Sequence, residues 1–258
     1  MPEGVVHHPQ LLANVSNRYI NQEWIANEVF PVVAVTKQTD RIAQYGFEHL
    51  RVPETVRGNG VPAHQATFSY SFTTYNLGFH SIRDAVTQRD LDNADAPLDP
   101  MTDVTEALTN MLLARRELEV ATVAFTTTTW GSNSSLTSAT SWGEATTVSD
   151  PIVDVHSAAA AIVLNGAIRP NKMVLGYRTF LLLKDHPSVI DRIQFTERAV
   201  VTVDVLASLF DLDKVVVGSA VRNTGLEGIA NSNTTIWANG ALVEYVPPTP
   251  GRRVPSAG

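Results

Sequence analysis

Three aspartates in the first half of the chain, Asp90, Asp92 and Asp95, have a spacing that partly fits a calcium-binding loop. Such loops use alternate acidic side chains as oxygen ligands for the ion. The loop glycine is missing here, and Met101 stands where a bidentate glutamate is needed. There are no cysteines, which excludes thiolate zinc sites, iron–sulfur clusters and cysteine nucleophiles. We therefore expect neither a metal site nor a cofactor.

No enzyme motif is complete in the sequence. The chain contains no G-x-x-x-x-G-K-[ST] phosphate loop, no G-x-S-x-G nucleophile elbow and no H-E-x-x-H zinc motif. The nearest glycine fingerprint, Gly58-Asn59-Gly60, lacks the third glycine and a preceding buried strand. His156 and His186 are interpreted as residues of a helix surface or cap rather than as ligands. Because catalytic residues can converge from distant segments, an α/β hydrolytic enzyme stays open as an alternative.

Seven charged residues form the groups best suited to contact another molecule. Five of them alternate in sign within residues 37–65, where apolar residues are sparse: Arg41, Glu48, Arg51, Glu54 and Arg57. The other two, Arg115 and Glu119, are four residues apart on a predicted helix, where they can pair with each other or contact a neighbouring subunit. The first group can equally belong to a solvated loop. The net charge of −7 argues against a basic patch for nucleic-acid recognition.

The stretch that carries the five charges must itself have structure. A loop of about thirty residues without secondary structure is unusual in a compact domain. The sequence RGNGVP at residues 57–62 is a strong turn signal. We therefore predict a projecting two-stranded ribbon over residues 37–65, with partners outside its own subunit. Residues 66–77 then alternate strictly, which predicts a strand whose aromatic face needs a cover, formed by Phe68, Tyr70 and Phe72.

Two helices are predicted around this ribbon. Residues 11–30 have a weakly amphipathic pattern that Pro31 ends, and residues 32–35 form a β-type run. Asp99 and Pro100 start a second helix, which continues to about Phe125. Its apolar stripe consists of Met101, Val104, Leu108, Met111, Leu112 and Leu118. The Ser/Thr-rich residues 126–149 can be β-structure or a loop.

The last hundred or so residues have the pattern of a compact α/β unit. Asp150 and Pro151 start a helix that ends at Gly166. Apolar runs at residues 173–175 and 214–217 predict buried strands. Further helices are predicted at residues 177–184, from His186-Pro187 and from Thr202, and a hairpin at residues 235–246 turns at Asn239-Gly240. No apolar run approaches the length of a membrane span, so a cytoplasmic product without a membrane partner is expected.

The order of these segments resembles the major capsid protein of tailed bacteriophages, over roughly residues 11–246. The resemblance rests on an ordered set of short motifs, none of them specific alone. In chain order, the motifs cover residues 25–35, 112–121, 149–154, 169–176, 183–187, 201–210, 216–220 and 236–237.

The resemblance implies an α+β chain with the Hong Kong 97-type capsid fold. It places an N-terminal arm at residues 1–36, an extended β-ribbon loop at 37–75 and a peripheral domain at 76–150, with a spine helix at about 100–125. An α/β axial domain follows at 151–246, and residues 247–258 form a tail. It also implies a structural, non-enzymatic subunit that assembles into hexamers and pentamers of an icosahedral head around double-stranded DNA. The seven charged residues named above are then expected at contacts between subunits.

The same resemblance sets expectations about partners. We expect a separate scaffolding protein, a portal, a possible decoration protein and non-specific contact with the packaged DNA, in a virion assembled in the bacterial cytoplasm. Some family members crosslink subunits through a lysine of the extended loop, but residues 41–65 contain none, so non-covalent shells are predicted. Family members commonly continue beyond the equivalent of Val246 with a further strand. An encapsulin-like compartment with the same fold is the nearest alternative.

Overall fold

The structure, a computed structural model, describes residues 21, 23–94, 99–137, 141–143, 149–194, 200–226 and 228–251. Residues 33–80 form one compact unit, and the described residues within 21–32 and 81–250 form the other. The described helices are α1 (Ala26–Val29), α2 (Gln88–Asp92), α3 (Pro100–Ala124), α4 (Pro151–Gly166), α5 (Tyr177–Lys184), α6 (Pro187–Ile193) and α7 (Val203–Leu209). The described strands are β1 (Thr39–Tyr45), β2 (Tyr70–Asn76), β3 (Lys172–Gly176), β4 (Lys214–Gly218), β5 (Val221–Asn223), β6 (Asn233–Thr235) and β7 (Ala241–Glu244).

The smaller unit is a two-stranded antiparallel ribbon. Strand β1 pairs with β2 in a register that runs from Thr39 opposite Asn76 to Tyr45 opposite Tyr70. The predicted turn is present, and Gly60 has a φ of 82°, a left-handed conformation that glycine adopts without strain. The predicted pairing of two strands within residues 37–65 was wrong, because β1 pairs with β2, which lies inside the strand predicted at residues 66–77. The β-type run at residues 32–35 is likewise not a strand.

The larger unit is built on a three-stranded sheet of order β4-β3-β7. Strands β3 and β4 are parallel, and β7 runs antiparallel on the other side of β3. One face is covered by α4 to α7, through apolar side chains such as Val155, Leu183 and Leu206. The other face is covered by α1 and the end of α3, where Val29 and Ala121 are buried. Both apolar runs predicted as buried strands are confirmed.

The predicted hairpin at residues 235–246 was wrong. Strand β6 pairs with β5, whereas β7 pairs with β3, so Asn239-Gly240 joins strands of two different sheets. Gly240 is required for a different reason than a tight turn. A Cβ at this position would lie 2.5 Å from the ring of Phe125, and the Gly240 carbonyl accepts a hydrogen bond from the Gly176 amide at 3.2 Å.

Helix α3 has 25 residues and a length of about 37 Å. Its start is as predicted, because the Asp99 carboxylate accepts hydrogen bonds from the amides of Met101 and Thr102. The predicted apolar stripe is not its buried face. Met101 and Met111 are 55% and 56% exposed, whereas the buried residues are Glu117, Ala121 and Ala124.

Local capping side chains start three further helices. Asp150, His186 and Thr202 cap α4, α6 and α7 as predicted. Residues 126–137 and 141–143 lie in turns and irregular structure, which resolves part of the open alternative for that segment. Residues 11–20 and 22 of the first predicted helix lie outside the described residues. Of the rest only α1 is helical, and it ends before Pro31 as predicted.

Candidate functional site

Five rings form a continuous exposed row along the ribbon, which we call the aromatic row: Tyr45, His49, Phe68, Tyr70 and Phe72. His49 stacks on Phe68 at 4.8 Å and meets Tyr45 edge-on at 5.4 Å between ring centroids. Tyr70 lies 6.4 Å from Tyr45 and 5.4 Å from Phe72. Tyr45, Phe68, Tyr70 and Phe72 each expose more than half of their surface. Contiguous exposed apolar patches of this kind mark interaction surfaces.

Glu48, one of the seven charged residues expected at contacts between subunits, makes hydrogen bonds within the ribbon beside this row. Its carboxylate accepts hydrogen bonds from the Ser69 hydroxyl at 2.8 Å and the Ser69 amide at 3.2 Å. These bonds, helped by the nearby charge of Arg51, hold the pKa of Glu48 below its ordinary value. Glu48 therefore links the turn after β1 to the residues that enter β2.

Two further charged residues of the ribbon from this set, Glu54 and Arg57, also make local contacts. Glu54 accepts a hydrogen bond from the amide of Val56 at 2.9 Å, and Arg57 donates one to the carbonyl of Val61 at 3.0 Å. Arg41 lies on β1, opposite Thr74 of β2. A role for these charges between subunits stays a prediction.

Arg115 and Glu119 form the ion pair that their spacing allows. The Arg115 Nε and Glu119 Oε1 atoms are 2.7 Å apart, and the side chains are 60% and 39% exposed. An exposed pair of this type contributes only about 0.3–0.5 kcal/mol. Contact with a neighbouring subunit also stays a prediction for this pair.

Sequence reasoning missed a buried carboxylate on the same helix. Glu117 is 1% exposed, and three donors surround it. Its Oε1 accepts hydrogen bonds from the Ile25 amide at 3.0 Å and from Trp237 Nε1 at 2.6 Å, while its Oε2 accepts one from the Ala26 amide at 2.9 Å. Helix α1 has no cap from its own residues, so Glu117 caps it from 91 residues away.

Two lysines hold the other end of α1. Lys172 Nζ donates a hydrogen bond to the backbone carbonyl of Glu28 at 2.9 Å, and Lys214 Nζ lies 2.6 Å from the Glu28 carboxylate. The lysines are register partners on β3 and β4. Cations at a helix C-terminus are favourable because the carbonyl groups there carry partial negative charge. We call Glu117, Lys172 and Lys214 the α1 clamp.

Trp237 connects the clamp to the sheet. Its indole is 1% exposed and meets the ring of Phe125 edge-on at 5.9 Å between centroids. A Cβ on Gly218 would lie 2.2 Å from the Trp237 ring, and one on Gly176 would lie 1.8 Å from the Ala238 carbonyl oxygen. Both strand-end glycines are therefore needed for this close approach.

A serine and a histidine come together in the interior, and their hydrogen bonds are those of a structural contact. The His186 Nδ1 atom accepts the Ser188 amide at 3.3 Å, so the proton is on Nε2, which lies 3.3 Å from the Ser149 hydroxyl. That hydroxyl donates to the Ser141 carbonyl at 3.0 Å. Burial lowers the pKa of His186, which keeps the ring neutral. The pair joins two segments rather than activating a serine.

The described part of the chain offers no group of three or more His, Asp or Glu side chains that could hold a metal ion. The Asp90 carboxylate instead accepts a hydrogen bond from the hydroxyl of Thr87, the N-cap of α2. The Asp92 carboxylate accepts one from the side-chain amide of Gln88, one turn earlier in the same helix. Asp95 lies outside the described residues. Among the helices described, none is both long and apolar enough to cross a membrane.

No protein-family model matches the chain. It is 29% identical to the major capsid protein of Pseudomonas phage JBD67 over 242 residues, covering 92% of this chain and 76% of that protein. It is 28% identical to the major capsid protein of Burkholderia phage BcepMu over 239 residues, with the same two coverages.

Two solved structures share the fold. A phage-related protein from Bordetella bronchiseptica RB50 matches with a TM-score of 0.65 at 24% identity, over 96% of this chain and 80% of that one. A chain of the capsid of cyanophage P-SCSP1u matches with a TM-score of 0.50 at 16% identity, over 83% of this chain and 69% of that one. The chain is thus similar to two phage major capsid proteins over about nine tenths of its length, which confirms the resemblance inferred from its sequence.

Proposed function

We propose that this chain is a major capsid protein that assembles with copies of itself into hexamers and pentamers of an icosahedral phage head around double-stranded DNA. The proposal includes the Hong Kong 97-type arrangement, with the arm, extended loop, peripheral and axial domains at the boundaries given above. The names of the relatives and the shared fold support it. The virion is then its location, with assembly in the host cytoplasm and no catalytic role.

The observation that carries this proposal is the exposed aromatic row. An isolated two-stranded ribbon is at best marginally stable in water, so a ribbon that exposes four large aromatic side chains needs a partner. A second copy of this chain is the partner that fits. In a closed symmetric shell every ribbon meets the same surface, and contacts of modest strength become strong when they are repeated.

Helix α3 offers an apolar surface that such a ribbon can contact in another copy. Met101, Met111 and Leu112 are exposed, and Arg115 lies one turn after Met111, with Glu119 one turn further along the helix. The ribbon carries both apolar rings and charges of alternating sign. We therefore place the predicted contacts of the seven charged residues between ribbon and helix of different copies.

The test is the particle-forming ability of ribbon variants. Tyr70→Ser with Phe72→Ser removes two rings of the row, and Leu164→Ser is the control, because Leu164 is 81% exposed on α4 of the other unit. We expect the wild type and the control to form shells in negative-stain electron microscopy and the double variant to stay small in light scattering. Shells of normal size and yield from the double variant would contradict the proposed contact.

The content of the particles separates the two kinds of shell. A phage head encloses nuclease-protected DNA, whereas an encapsulin-like compartment encloses a cargo protein. Portal, scaffolding and decoration proteins are expected partners of the first kind only. Particles purified from infected cells and analysed for DNA and for a stoichiometric second protein distinguish the alternatives.

A further inference from the structure

A second buried carboxylate lies close to the α1 clamp, and the contacts described so far do not use it. Glu244, on β7, is 2% exposed, and its Oε1 atom finds no hydrogen-bond partner among the described residues. An ionised carboxylate in such a place is strongly disfavoured unless a cation or donors reach it. The surroundings of Glu244 therefore decide what happens when it loses its proton.

Glu244 lies on the sheet face that α1 covers. Leu242, two residues earlier, packs in the same cluster as Ile25 and Val29, whereas Val243 packs in the cluster on the opposite face. Side chains two residues apart on a strand point to the same side. Glu244 and α1 are therefore on one side of β7.

Among the described residues, the charged groups on this face come from five elements. They are Glu244 on β7, Lys172 on β3, Lys214 on β4, Glu28 on α1 and Glu117 on α3. Both Glu117 oxygens already accept hydrogen bonds. Lys214 is bound to the Glu28 carboxylate.

Lys172 is the cation directly opposite Glu244. The two are register partners in the antiparallel β3–β7 pair, where Cβ atoms are about 4.5–5.5 Å apart. The Lys172 ammonium group, however, points to the backbone carbonyl of Glu28, at 2.9 Å. One cation therefore lies within reach of two acceptors, one on α1 and one on β7.

We propose that the protonation state of Glu244 controls whether Lys172 holds the C-terminal end of α1; we call this control the α1 release. While the Glu244 carboxyl is protonated, Lys172 holds the C-terminal carbonyl of α1. When Glu244 gives its proton to solvent, the buried carboxylate draws the Lys172 ammonium away from Glu28, and α1 loses one of its anchors. Glu117 and Lys214 keep their bonds, so the helix loosens at one end without leaving the core.

The range in which the release operates follows from burial. Desolvation raises the pKa of Glu244 to about 8, and the charge of Lys172 acts in the opposite direction. The clamp is therefore complete in mildly acidic and neutral solution and loosens in alkaline solution. The release concerns a single chain, so its test does not depend on assembly into shells.

The test is hydrogen exchange of the α1 amides in the unassembled full-length chain, followed by mass spectrometry. The amides of Val29 and Phe30 report on the helix, because they donate to the carbonyls of Ile25 and Ala26. The wild type and Glu244→Gln are compared at pH 6.5 and pH 9, with both proteins at the same pH so that intrinsic exchange cancels. At pH 6.5 we expect equal rates, and at pH 9 about tenfold faster exchange in the wild type, the effect of one lost charge-assisted bond.

Two further variants sharpen the result. Glu28→Gln removes the partner of Lys214 but keeps the carbonyl that Lys172 binds, so its exchange should keep the wild-type pH dependence. Lys172→Met removes the shared cation, so α1 should exchange fast at both pH values. Equal rates for the wild type and Glu244→Gln at pH 9 would overturn the proposal. So would a Lys172→Met variant that still loosens only at alkaline pH.

Discussion

Glu117 of α3 and Trp237, 120 residues apart in the chain, share a buried hydrogen bond of 2.6 Å between the carboxylate and the indole nitrogen. The same carboxylate caps α1 through two backbone amides. One side chain therefore ties α1, the long helix and the end of the central sheet together. A buried carboxylate is stable in this place because three donors replace the water that it loses.

Replacing this carboxylate should destabilise the fold strongly. Glu117→Ala leaves three buried donors without an acceptor, and we expect a loss of about 3–5 kcal/mol in the free energy of unfolding. Urea denaturation followed by tryptophan fluorescence measures it. Glu119→Ala, two residues along the helix at a half-exposed position, is the control and should cost less than about 1 kcal/mol. A loss for Glu117→Ala as small as that of the control would contradict the role of Glu117.

Sequence reasoning found the helix starts because their signals are local. Asp99-Pro100 and Asp150-Pro151 each combine a capping side chain with a proline at the first helical position, and both caps form in the structure. The buried strands β3 and β4 were found for a similar reason, since a short apolar run between polar ends needs no distant partner to be recognised. Signals of this kind are complete within a few residues.

The clamp and the strand pairing could not be found in the same way. Nothing in the sequence near Glu117 distinguishes it from a charged residue on an exposed helix face. Its burial depends on Ile25 and Trp237, which are distant in the sequence. Asn239-Gly240 favours a hairpin locally, yet the ladder with β3 and the contact with Phe125 decide the path of the chain. In both cases residues far away in the sequence determine the outcome.

Acid should weaken the packing around His186. Its pKa is lowered in the folded protein because the ring is buried, so the unfolded chain binds a proton more readily. Stability is therefore fully present above the ordinary histidine pKa of about 6.5 and falls as the pH drops below it, by at most about 1.4 kcal/mol per pH unit.

The comparison with His186→Asn isolates this effect, because asparagine can cap α6 without titrating. Urea titrations of both proteins at several pH values between 5 and 8 give the two stability curves. We expect the difference between the curves to change with pH below about 6.5. Parallel curves across the whole range would show that His186 does not titrate on unfolding.

A glycine should be better than the native residue at one helix end. Ala167, which ends α4, has a φ of 53°, a left-handed conformation that costs a residue with a Cβ atom about 1 kcal/mol. We expect Ala167→Gly to stabilise the protein by up to about 1 kcal/mol in thermal or urea unfolding. Ala160→Gly, at an exposed position within the same helix, should destabilise it by about the same amount. Equal losses of stability for Ala167→Gly and Ala160→Gly would show that the left-handed conformation of Ala167 costs no free energy.

Because Trp237 closely approaches β4, we expect replacement of Gly218 by alanine to lower the free energy of unfolding unusually strongly. Gly218→Ala places a methyl group 2.2 Å from the indole ring, so the ring or the strand must move. We expect a loss of about 3 kcal/mol in the free energy of unfolding, the upper part of the range for overpacked cores. Gly131→Ala is the matched control, since a Cβ there meets nothing within 4 Å. Equal stabilities of the two variants would show that the contact relaxes without cost.

The residues of the ribbon predict how the subunits of the proposed shell are held together. Residues 41–65 contain no lysine, so no amide crosslink can start from a lysine side chain in this segment. We expect boiled particles to run as a single band of 28.0 kDa in denaturing electrophoresis. A ladder of multimers that resists boiling would contradict a non-covalent shell.

The proposed capsid function is tested most directly by negative-stain electron microscopy of the purified wild-type chain, with and without the product of the neighbouring gene. Light scattering gives the mass of the particles in the same samples. A coat subunit should form closed shells, or rings of five and six copies. A species of 28.0 kDa that stays monomeric in both samples would contradict the capsid function.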